Sequence, residues 1–576
     1  MSIKIGMSDF LFGVHLHQPT ENLKEAVEMA VEKCYAPFFE TMKKYPEFKF
    51  SMHCSGWLFN ELKTKYPDVF ENIKKCNIEF FTGGFYEPIL AVIPREDRIT
   101  QINKLNEFLK ENLGVIPKGL WLTERVWDDG IIPEISECGV EYLVVDDYHI
   151  KVQGIEADSV FETEESGKRI KIFPISKNLR YKIPFSNVDE AIEIIKNEKM
   201  PVMFDDCEKF GLWPTTYEWV YEKKWLEEFV EKALKELNTM HFRDYKNPSK
   251  PVYLPNVSYP EMMEWCLDFG VEGRGVFKNF FRKYKESNHI HKRMLNIRNK
   301  NESYYKLQTN DVYWHGIFGG LYLPNLRDNA YRFLIECDNE KGVFVSDFDM
   351  DGYEEVSVKT EKIIAVFNKN GELIEFDDRE KRFNFSNTIR RYKERYHFEN
   401  KKEKNNKKVA TIHEISTDLG KYKEELFFDR YYRYSFIDHL IEKVDNESFK
   451  KDNFEDFIKR SFKREGLSFR NSQIKKSFEI EKNGINFEIE NKTDFVYAME
   501  MNFHFAWMDK IEINENYILD PFTERKIIFD FEYDKMFYFI LNTINRDEKG
   551  FCKIAQGVSI LFTFKNKNIK GKLCLK

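Results

Sequence analysis

Two acidic positions in this sequence each follow a short apolar run and lie among aromatic residues. Glu124 lies between Trp121 and Trp127 in the segment Trp-Leu-Thr-Glu-Arg-Val-Trp. The second position is the stretch 205–208, Asp-Asp-Cys-Glu, which follows Val-Met-Phe. Such apolar runs predict buried strands. A carboxylate is costly to bury unless it is paired or used in a reaction, so we predict that Glu124 reacts and that the fold brings a second carboxylate to it.

The elements that must position these carboxylates alternate between strands and helices through the first half of the chain. This alternation predicts a parallel α/β barrel or an open sheet, and in both architectures ligands bind where the strands end. Five polar residues lie at or just past predicted strand ends: His17, Glu87, Glu124, Asp147 and Asp206. Polar residues also end strands for structural reasons alone, but the number of them here favours one shared site. His149 is a further candidate for this site.

The stretch 205–208 has two interpretations at this point. It is either an acidic turn that caps a helix or the source of the second reacting carboxylate. Two carboxylates that act on one acetal carbon are the minimum for glycoside chemistry, and tryptophan rings offer flat apolar faces on which sugar rings stack. The second interpretation therefore predicts a carbohydrate-active site.

Five segments, taken in chain order, resemble glycoside hydrolase family 57 in its 4-α-glucanotransferase and α-amylase-like branch. They are 15–19 (His-Leu-His-Gln-Pro), 83–88 (Gly-Gly-Phe-Tyr-Glu-Pro), 121–127 (Trp-Leu-Thr-Glu-Arg-Val-Trp), 205–211 (Asp-Asp-Cys-Glu-Lys-Phe-Gly) and 253–265, from Tyr-Leu-Pro to Glu-Trp. A sixth segment, 313–324, resembles the helical region that follows the barrel in this branch. The third and fourth segments are specific to the family, whereas His-Gln-Pro alone would be weak evidence for the resemblance.

The resemblance implies a retaining enzyme in which Glu124 is the nucleophile and Asp206 is the general acid/base. The two carboxyl groups should then lie roughly 5–5.5 Å apart. The resemblance also implies substrate-binding residues, with Glu87, Glu208 and His17 positioning sugar hydroxyls and Trp121, Trp213 and Trp265 lining the subsites. Cys207 departs from the family pattern, because many relatives have glycine there and a Cβ atom restricts the backbone.

The predicted fold is multidomain, with an α/β part followed by an all-β part. By the resemblance, residues 1–250 form an incomplete TIM-like (β/α)7 barrel that carries the catalytic residues. Residues 251–338 form a helical region that completes the cleft. Residues 339–576 form a C-terminal antiparallel β-sandwich, for which the Asn483-Gly484 hairpin signal, flanked by alternating apolar residues, is independent support.

An acidic stretch near the predicted start of the sandwich suggests a metal ion. Asp347, Asp349 and Asp351 alternate before Gly352, and Glu355 is a further oxygen ligand. This pattern matches the first half of a calcium loop, but Val358 stands where an EF-hand has its bidentate glutamate. A structural calcium site and an Asp-rich turn without an ion are both open. Catalysis itself is expected to need no cofactor.

Net charge, hydropathy and cysteine content indicate which binding partners and which cellular compartment to expect. The net charge of −8 disfavours a nucleic-acid partner, and no stretch approaches the length of a membrane span. Nine cysteines without a CxxC pair fit reduced thiols in the cytoplasm. The expected partners, from the resemblance, are maltooligosaccharides and starch or glycogen-type α-glucans, with a homodimer among the open oligomeric states.

Three functional hypotheses follow. The leading one is a 4-α-glucanotransferase that moves glucan segments between maltooligosaccharides. An α-amylase-type hydrolase of α-1,4-glucans would share every catalytic residue and differ only in whether water or sugar is the acceptor. A catalytically silent glucan-binding protein is the third hypothesis, against which stand the two carboxylates and their neighbours.

Overall fold

The computed structural model describes residues 7–317, 320–398, 419–547 and 550–576. The first part of the chain contains the eight strands that build the barrel. They are β1 (Ser8–Leu16), β2 (Phe50–Cys54), β3 (Ile78–Phe80), β4 (Gly119–Trp121), β5 (Tyr142–Asp146), β6 (Phe161–Glu165), β7 (Lys168–Ile175) and β8 (Val202–Asp206). All except β6 pair in parallel, and β6 forms an antiparallel hairpin with β7.

The seven parallel strands form a ring. Hydrogen-bonded neighbours follow the orders β3-β2-β1-β8 and β4-β5-β7. A parallel bridge between Thr82 and Leu120 joins the end of β3 to β4. The backbone N–H of Ser176 donates to the carbonyl of Val202 at 2.8 Å and joins β7 to β8. The expected (β/α)7 barrel is confirmed.

Helices between the strands cover the outside of the ring. They are α1 (Lys24–Ala30), α2 (Ala36–Met42), α3 (Gly56–Lys65), α4 (Pro67–Lys74), α5 (Arg95–Leu113), α6 (Ile132–Glu137), α7 (Tyr148–Lys151), α8 (Lys177–Lys182), α9 (Val188–Asn197) and α10 (Trp225–Glu236). Every residue of β2 and β5 is buried, as expected for parallel strands that are covered on both faces. Phe81, Phe173 and Phe204 help fill the interior of the ring.

A helical region follows the barrel and packs directly on it. Two short strands come first, β9 (Leu237–Thr239) and β10 (Lys250–Pro251), which pair with β1 and β6. The helices are α11 (Pro260–Trp265), α12 (Asn279–Lys283), α13 (Lys285–Leu295), α14 (Glu302–Lys306) and α15 (Pro324–Cys337). Leu122 and Val126 of the barrel lie in one hydrophobic core with Met262 and Tyr313 of this region. The two parts therefore form one continuous scaffold for the residues between them.

The chain beyond Gly342 is built mainly of antiparallel strands. They are β11 (Gly342–Ser346), β12 (Glu355–Lys359), β13 (Ile363–Phe367), β14 (Leu373–Asp378), β15 (Phe383–Asn384), β16 (Ile437–Ile441), β17 (Lys463–Glu465), β18 (Ser468–Arg470), β19 (Ile474–Glu481), β20 (Gly484–Asn491), β21 (Val496–Phe503), β22 (Glu512–Ile513), β23 (Tyr517–Asp520), β24 (Arg525–Asp530), β25 (Lys535–Asp547), β26 (Gly550–Phe564) and β27 (Asn568–Leu575), with one helix, α16 (Asn446–Lys450). They form sheets of five, four and eight strands around a core rich in phenylalanine.

The hairpin predicted at Asn483-Gly484 joins β19 to β20, with Ile480 opposite Ile485 and Phe478 opposite Phe487. The predicted combination of an α/β barrel with an antiparallel β-sandwich is confirmed. Within the described ranges, no helix is both long enough and apolar enough to cross a bilayer.

Candidate active site

The carboxyl ends of the barrel strands open into a cavity of about 600 Å³. Six of the residues predicted for the site line this cavity: His17, Glu124, Asp206, Glu208, Trp213 and Trp265. They come from four separate stretches of the chain. The cavity is therefore where the barrel topology brings the predicted carboxylates together.

Glu124 lies in a backbone conformation that non-glycine residues rarely adopt. Its φ is 52°, and Arg125 follows with a φ of 48°. A left-handed non-glycine residue costs on the order of 1–3 kcal/mol and persists only where its surroundings hold it. Here the hydroxyl of Ser258 donates to the carbonyl of Glu124. The segment that leads into α11 thus fixes the turn that points Glu124 into the cavity.

The carboxylate of Glu124 has a direct hydrogen-bond donor. The hydroxyl of Tyr259 donates to Oε2 of Glu124 at 2.8 Å. The guanidinium of Arg125 lies over the Tyr259 ring, with Cζ 4.5 Å from the ring centre. Burial raises the pKa of Glu124 above its ordinary value, Arg125 and Tyr259 oppose that rise, and the charge of Asp206 adds to it.

The two adjacent aspartates at the end of β8 have different surroundings. Asp206 lines the cavity and makes no capping hydrogen bond to the turn that follows. Asp205 is fully buried and pairs with Lys209 and with Arg180, whose Nε lies 2.9 Å from Oδ2 of Asp205. Although burial would raise the pKa of Asp205, Arg180 and Lys209 hold it below its usual range. The side chain of Asp206 thus lines the cavity and does not cap the turn.

Cys207 is accommodated without backbone strain. It begins the short turn Cys207–Lys209 and is not among the residues with positive φ in the described ranges. Because its φ is not positive, a Cβ atom is tolerated at this position. Its carbonyl accepts from Sγ of Cys34 at 3.0 Å.

Glu208 lies beside Asp206 and receives two hydrogen bonds. The hydroxyl of Tyr35 donates to its Oε1, and the backbone N–H of His17 donates to the same atom at 3.2 Å. Burial, with the added repulsion of Asp206, raises the pKa of Glu208 to about 7. Tyr35 comes from the π-helical turn Val31–Tyr35, an irregularity often found at functional sites.

Glu87 is buried and organises His15 and His17, which line the cavity. Its φ is 52°, and its two oxygens lie 2.9 Å from Nε2 of His15 and 2.7 Å from Nδ1 of His17. Nε2 of His17 also contacts Asp311 at 3.2 Å. Burial would lower the pKa of His17, but Glu87 and Asp311 raise it well above its ordinary value. Burial would raise the pKa of Glu87, but the two histidines hold it well below its usual range.

The donor atoms of His15, His17 and Glu87 lie close enough to hold one metal ion. They pair with one another at ion-pair distances, although Nδ1 of His17 and Oε2 of Glu87 have no partner in hydrogen-bond geometry within the described ranges. The same three residues can equally present a fixed, charged surface to sugar hydroxyls.

Two of the predicted aromatic residues line the cavity. The ring of Trp213 stacks on Phe185 with centroids 5.7 Å apart. The ring of Trp265 is parallel to Trp314, at 6.2 Å and 7°. Trp314 lies in the segment 313–324 that carried part of the resemblance, and it adds a second flat face to the cavity wall.

Two other predicted residues lie beneath the cavity. Trp121 is almost fully buried and stacks on His15 with centroids 4.3 Å apart. His149 is fully buried, with ring nitrogens 3.0 Å from the carbonyl of Asp146 and 2.8 Å from that of Arg125. Neither is among the residues that line the cavity. In the structure Trp121 supports a histidine and His149 holds the turn of Glu124, and their predicted substrate contacts stay predictions.

Four contributors to the site were missed from the sequence: Tyr35, Arg180, Tyr259 and Asp311. Tyr259 and Asp311 lie inside or beside segments quoted for the resemblance, so proximity to a motif was the available signal. Tyr35 and Arg180 lie in helical stretches with no motif. Their roles depend on packing between distant parts of the chain.

The acidic stretch at 347–355 forms a turn before β12. Oxygens of Asp347, Asp349 and Asp351 lie within 4.8 Å of one another. The amino group of Lys285 is 3.7 Å from Asp351. Oε2 of Glu355 accepts from the N–H of Phe348 at 3.2 Å, and burial together with the three aspartates raises the pKa of Glu355 to about 8. The arrangement suits a cation, but backbone N–H groups and the amino group of Lys285 also provide partners for these carboxylates.

Comparison with known proteins defines the class to which this fold and site belong. Residues 11–258 match the family model described as glycosyl hydrolase family 57. Residues 275–340 and 347–575 match the middle and C-terminal domains described for alpha-amylase/4-alpha-glucanotransferase. The chain belongs to glycosyl hydrolase family 57 and is a glycoside hydrolase or transglycosidase.

Particular relatives cover almost the whole chain. It is 34% identical over 639 residues to a 4-alpha-glucanotransferase of Thermococcus kodakarensis, with 97% of each chain covered. It is also 34% identical over 630 residues to an alpha-amylase of Pyrococcus furiosus, with 96% of each covered. The crystal structure of the 4-alpha-glucanotransferase from Thermococcus litoralis superposes with a TM-score of 0.87 at 30% identity and 99% coverage of each chain.

Proposed function

We propose that this protein is a retaining 4-α-glucanotransferase, which transfers segments of α-1,4-glucans between maltooligosaccharides through a covalent glycosyl-enzyme. The observation that carries the proposal is the pairing of Glu124 and Asp206 across one cavity, each with its own set of supporting residues. The names of the relatives from Thermococcus kodakarensis and Thermococcus litoralis support the transferase assignment.

The reaction follows from the two carboxylates. Asp206 gives its proton to the oxygen of the bond that breaks, while Glu124 attacks the anomeric carbon and forms the glycosyl-enzyme. Asp206 then takes a proton from the incoming hydroxyl as that oxygen displaces Glu124. Asp205 is neutralised by Arg180 and Lys209, so Asp206 and Glu208 are the acids of this stretch that face the substrate cavity.

Residues around the pair suit the binding of a glucan. Glu87, Glu208 and His17 present oriented acceptors and donors for sugar hydroxyls. Trp213 and the parallel pair Trp265 and Trp314 offer flat faces for glucose rings. The substrates proposed on this basis are maltooligosaccharides and starch or glycogen-type α-glucans.

The distinction from hydrolysis needs a product analysis. Incubation with a single pure maltooligosaccharide should give a ladder of longer and shorter products without a gain in reducing ends. A steady gain in reducing ends would instead establish the second candidate, an α-amylase-type hydrolase, which the name of the Pyrococcus furiosus relative favours. Binding of glucan without any turnover would establish the third candidate, a silent binding protein.

A structural calcium ion at Asp347, Asp349, Asp351 and Glu355 is a secondary proposal. Four carboxylates in one turn are the oxygen-rich environment that calcium prefers, and a bound cation would lower the pKa of Glu355. Calorimetric titration of EDTA-treated protein with calcium should show binding, which Asp349→Asn should weaken. A flat trace would remove the proposal.

The cytoplasmic location and the homodimer stay predictions of the sequence. All nine cysteines are free in the structure, which agrees with a reducing compartment. Cell fractionation would test the first prediction, and sedimentation velocity would test the second.

A further inference from the structure

We propose that a ribbon of the C-terminal domain forms a subsite of the glucan cleft, in which Arg546 and Asp547 bind the hydroxyls of a glucose unit. The ribbon consists of residues 542–547 of β25 and 550–555 of β26. This inference rests on the proposed function, since it concerns the same cavity. It assigns part of substrate recognition to the sandwich domain, rather than to the barrel alone.

The ribbon extends beyond the sheet to which it belongs. Strands β25 and β26 have 13 and 15 residues, whereas typical strands have about 5–6. The neighbouring strand β21 pairs with β26 only over Val558–Phe564. Residues 542–547 and 550–555 pair with each other beyond that point and span about 20 Å.

A change of register separates the ribbon from the sheet. It falls between Leu541 and Asn542, and such irregularities bend a strand and redirect its side chains. An isolated two-stranded ribbon is marginally stable in water. The projecting part therefore needs support from elsewhere in the molecule.

That support comes from the helical region, through Gln556 next to the ribbon in β26, and from His397, which follows β15. The amide of Gln556 donates to the carbonyl of Tyr322 at 2.9 Å, and Arg327 donates to Oε1 of Gln556 at 2.7 Å. Nε2 of His397 lies 2.7 Å from the carbonyl of Ile544. All of these side chains are buried. The ribbon is thus held in a fixed place against the rim of the cavity.

The supported end of the ribbon contributes to the cavity wall. The residues from it that line the cavity are Asn545, Arg546, Asp547, Cys552 and Ile554. Glu124 and Asp206 are held by the barrel and by the segment before α11, whereas the ribbon is held by residues near α15 and by His397. The ribbon is therefore a contributor to the cavity wall that is anchored separately from the two carboxylates.

The side chains at this place have the chemistry of a sugar site. A guanidinium and a carboxylate bind neighbouring hydroxyls with charge-assisted hydrogen bonds. Asn545 is 2% exposed, and within the described part of the chain neither of its side-chain amide atoms has a hydrogen-bond partner. Buried polar groups are nearly always hydrogen-bonded, so this amide is an independent indication of a ligand or of water that a ligand replaces.

A chain-length comparison tests the subsite. The variants Arg546→Gln and Asp547→Asn, made in the full chain, should lower kcat/KM for maltoheptaose by about tenfold or more, mainly through KM, because each removes a charge-assisted hydrogen bond. For maltotriose, which is too short to fill all subsites, kcat/KM should change less than about twofold. The matched control is Lys553→Gln on the same ribbon, whose side chain is about two-fifths exposed and pairs with Glu425; it should leave both values unchanged.

The outcomes separate this inference from the function on which it rests. Equal losses on the long and the short substrate, or no loss on either, would overturn the subsite. If the wild-type protein turned over neither oligosaccharide, the proposed function would fail instead. Thermal unfolding of each variant identifies a folding defect. If Arg546→Gln does not fold, Asp547→Asn, which keeps the size of the side chain, still tests whether the ribbon forms a subsite.

Discussion

At the scale of single residues, the site separates acids that are close in sequence by giving them different partners. Asp205 is neutralised in an ionic network, while Asp206 and Glu208 line the cavity. Glu124 receives a hydrogen bond from Tyr259, which stabilises its ionised form. The nucleophile that we propose, Glu124, must be ionised to attack, so we expect Tyr259 to set part of the pH range of activity.

Replacement of Tyr259 by phenylalanine should move the acidic limb of the pH profile. The hydrogen bond lowers the pKa of Glu124, so its loss raises that pKa, and the acidic limb of kcat/KM should shift upward by about one pH unit. The measurement is kcat/KM against pH on one maltooligosaccharide. Tyr253→Phe is the control, because Tyr253 is exposed and bonds Glu164. An unchanged limb would mean that Tyr259 does not act on Glu124.

At the scale of elements, each strand end depends on a neighbouring element to orient its reactive residue. Arg180 of α8 joins the ends of β5 and β8, with Nη1 2.8 Å from Asp146 and Nε 2.9 Å from Asp205. Both aspartates are completely buried. Removing one partner of a buried ion pair leaves a charge without compensation, which is strongly destabilising.

Arg180→Met should therefore lower the free energy of unfolding by about 3–5 kcal/mol at neutral pH. The pKa of Asp205 is depressed in the folded state, so its ion pairs stabilise the fold above the unfolded pKa of about 4. That stabilisation is lost as the pH falls through the folded pKa, so the difference from wild type should shrink in acid. Urea unfolding at several pH values measures this difference in the free energy of unfolding. Arg169→Met is the control, because the side chain of Arg169 is largely exposed. A pH-independent difference would contradict the ionic explanation.

The sequence predicted the elements and the two central carboxylates, but not the supporting contacts. Strand ends and family motifs were local signals, and they led correctly to residues of the cavity such as Glu124 and Asp206. The motif of Trp121 does not reveal that its indole is buried and stacks on His15, so its part in substrate binding stays a prediction. Tyr35 and Asp311 reach the site from elements distant in sequence, and only the packed structure shows which distant side chains meet.

At the scale of the whole molecule, the three parts of the chain meet around the cleft and depend on one another. Arg327 of α15 is fully buried. It donates to Oδ1 of Asn387 at 2.8 Å and to Oε1 of Gln556 at 2.7 Å. These contacts join the helical region to the sandwich domain and place the ribbon that we propose as a subsite.

Arg327→Met should destabilise the protein and loosen the ribbon together. The loss of these hydrogen bonds leaves buried acceptors unpaired and should cost about 3 kcal/mol or more. Protection of the backbone amides of 542–547 against hydrogen exchange should fall more than that of β2 in the barrel core. Arg332→Met on the same helix is the control, since its side chain is partly exposed and pairs with Glu21. Equal changes in both regions would argue against a specific anchoring role.

The central claim is that Glu124 forms the covalent glycosyl-enzyme. It is tested most directly by incubating the protein with a fluorinated maltosyl donor that forms this intermediate faster than it is released, followed by mass spectrometry of the peptides. The account predicts one maltosyl label per chain, on Glu124, and no label in Glu124→Gln. A label on another carboxylate, or turnover by Glu124→Gln close to that of the wild type, would contradict it.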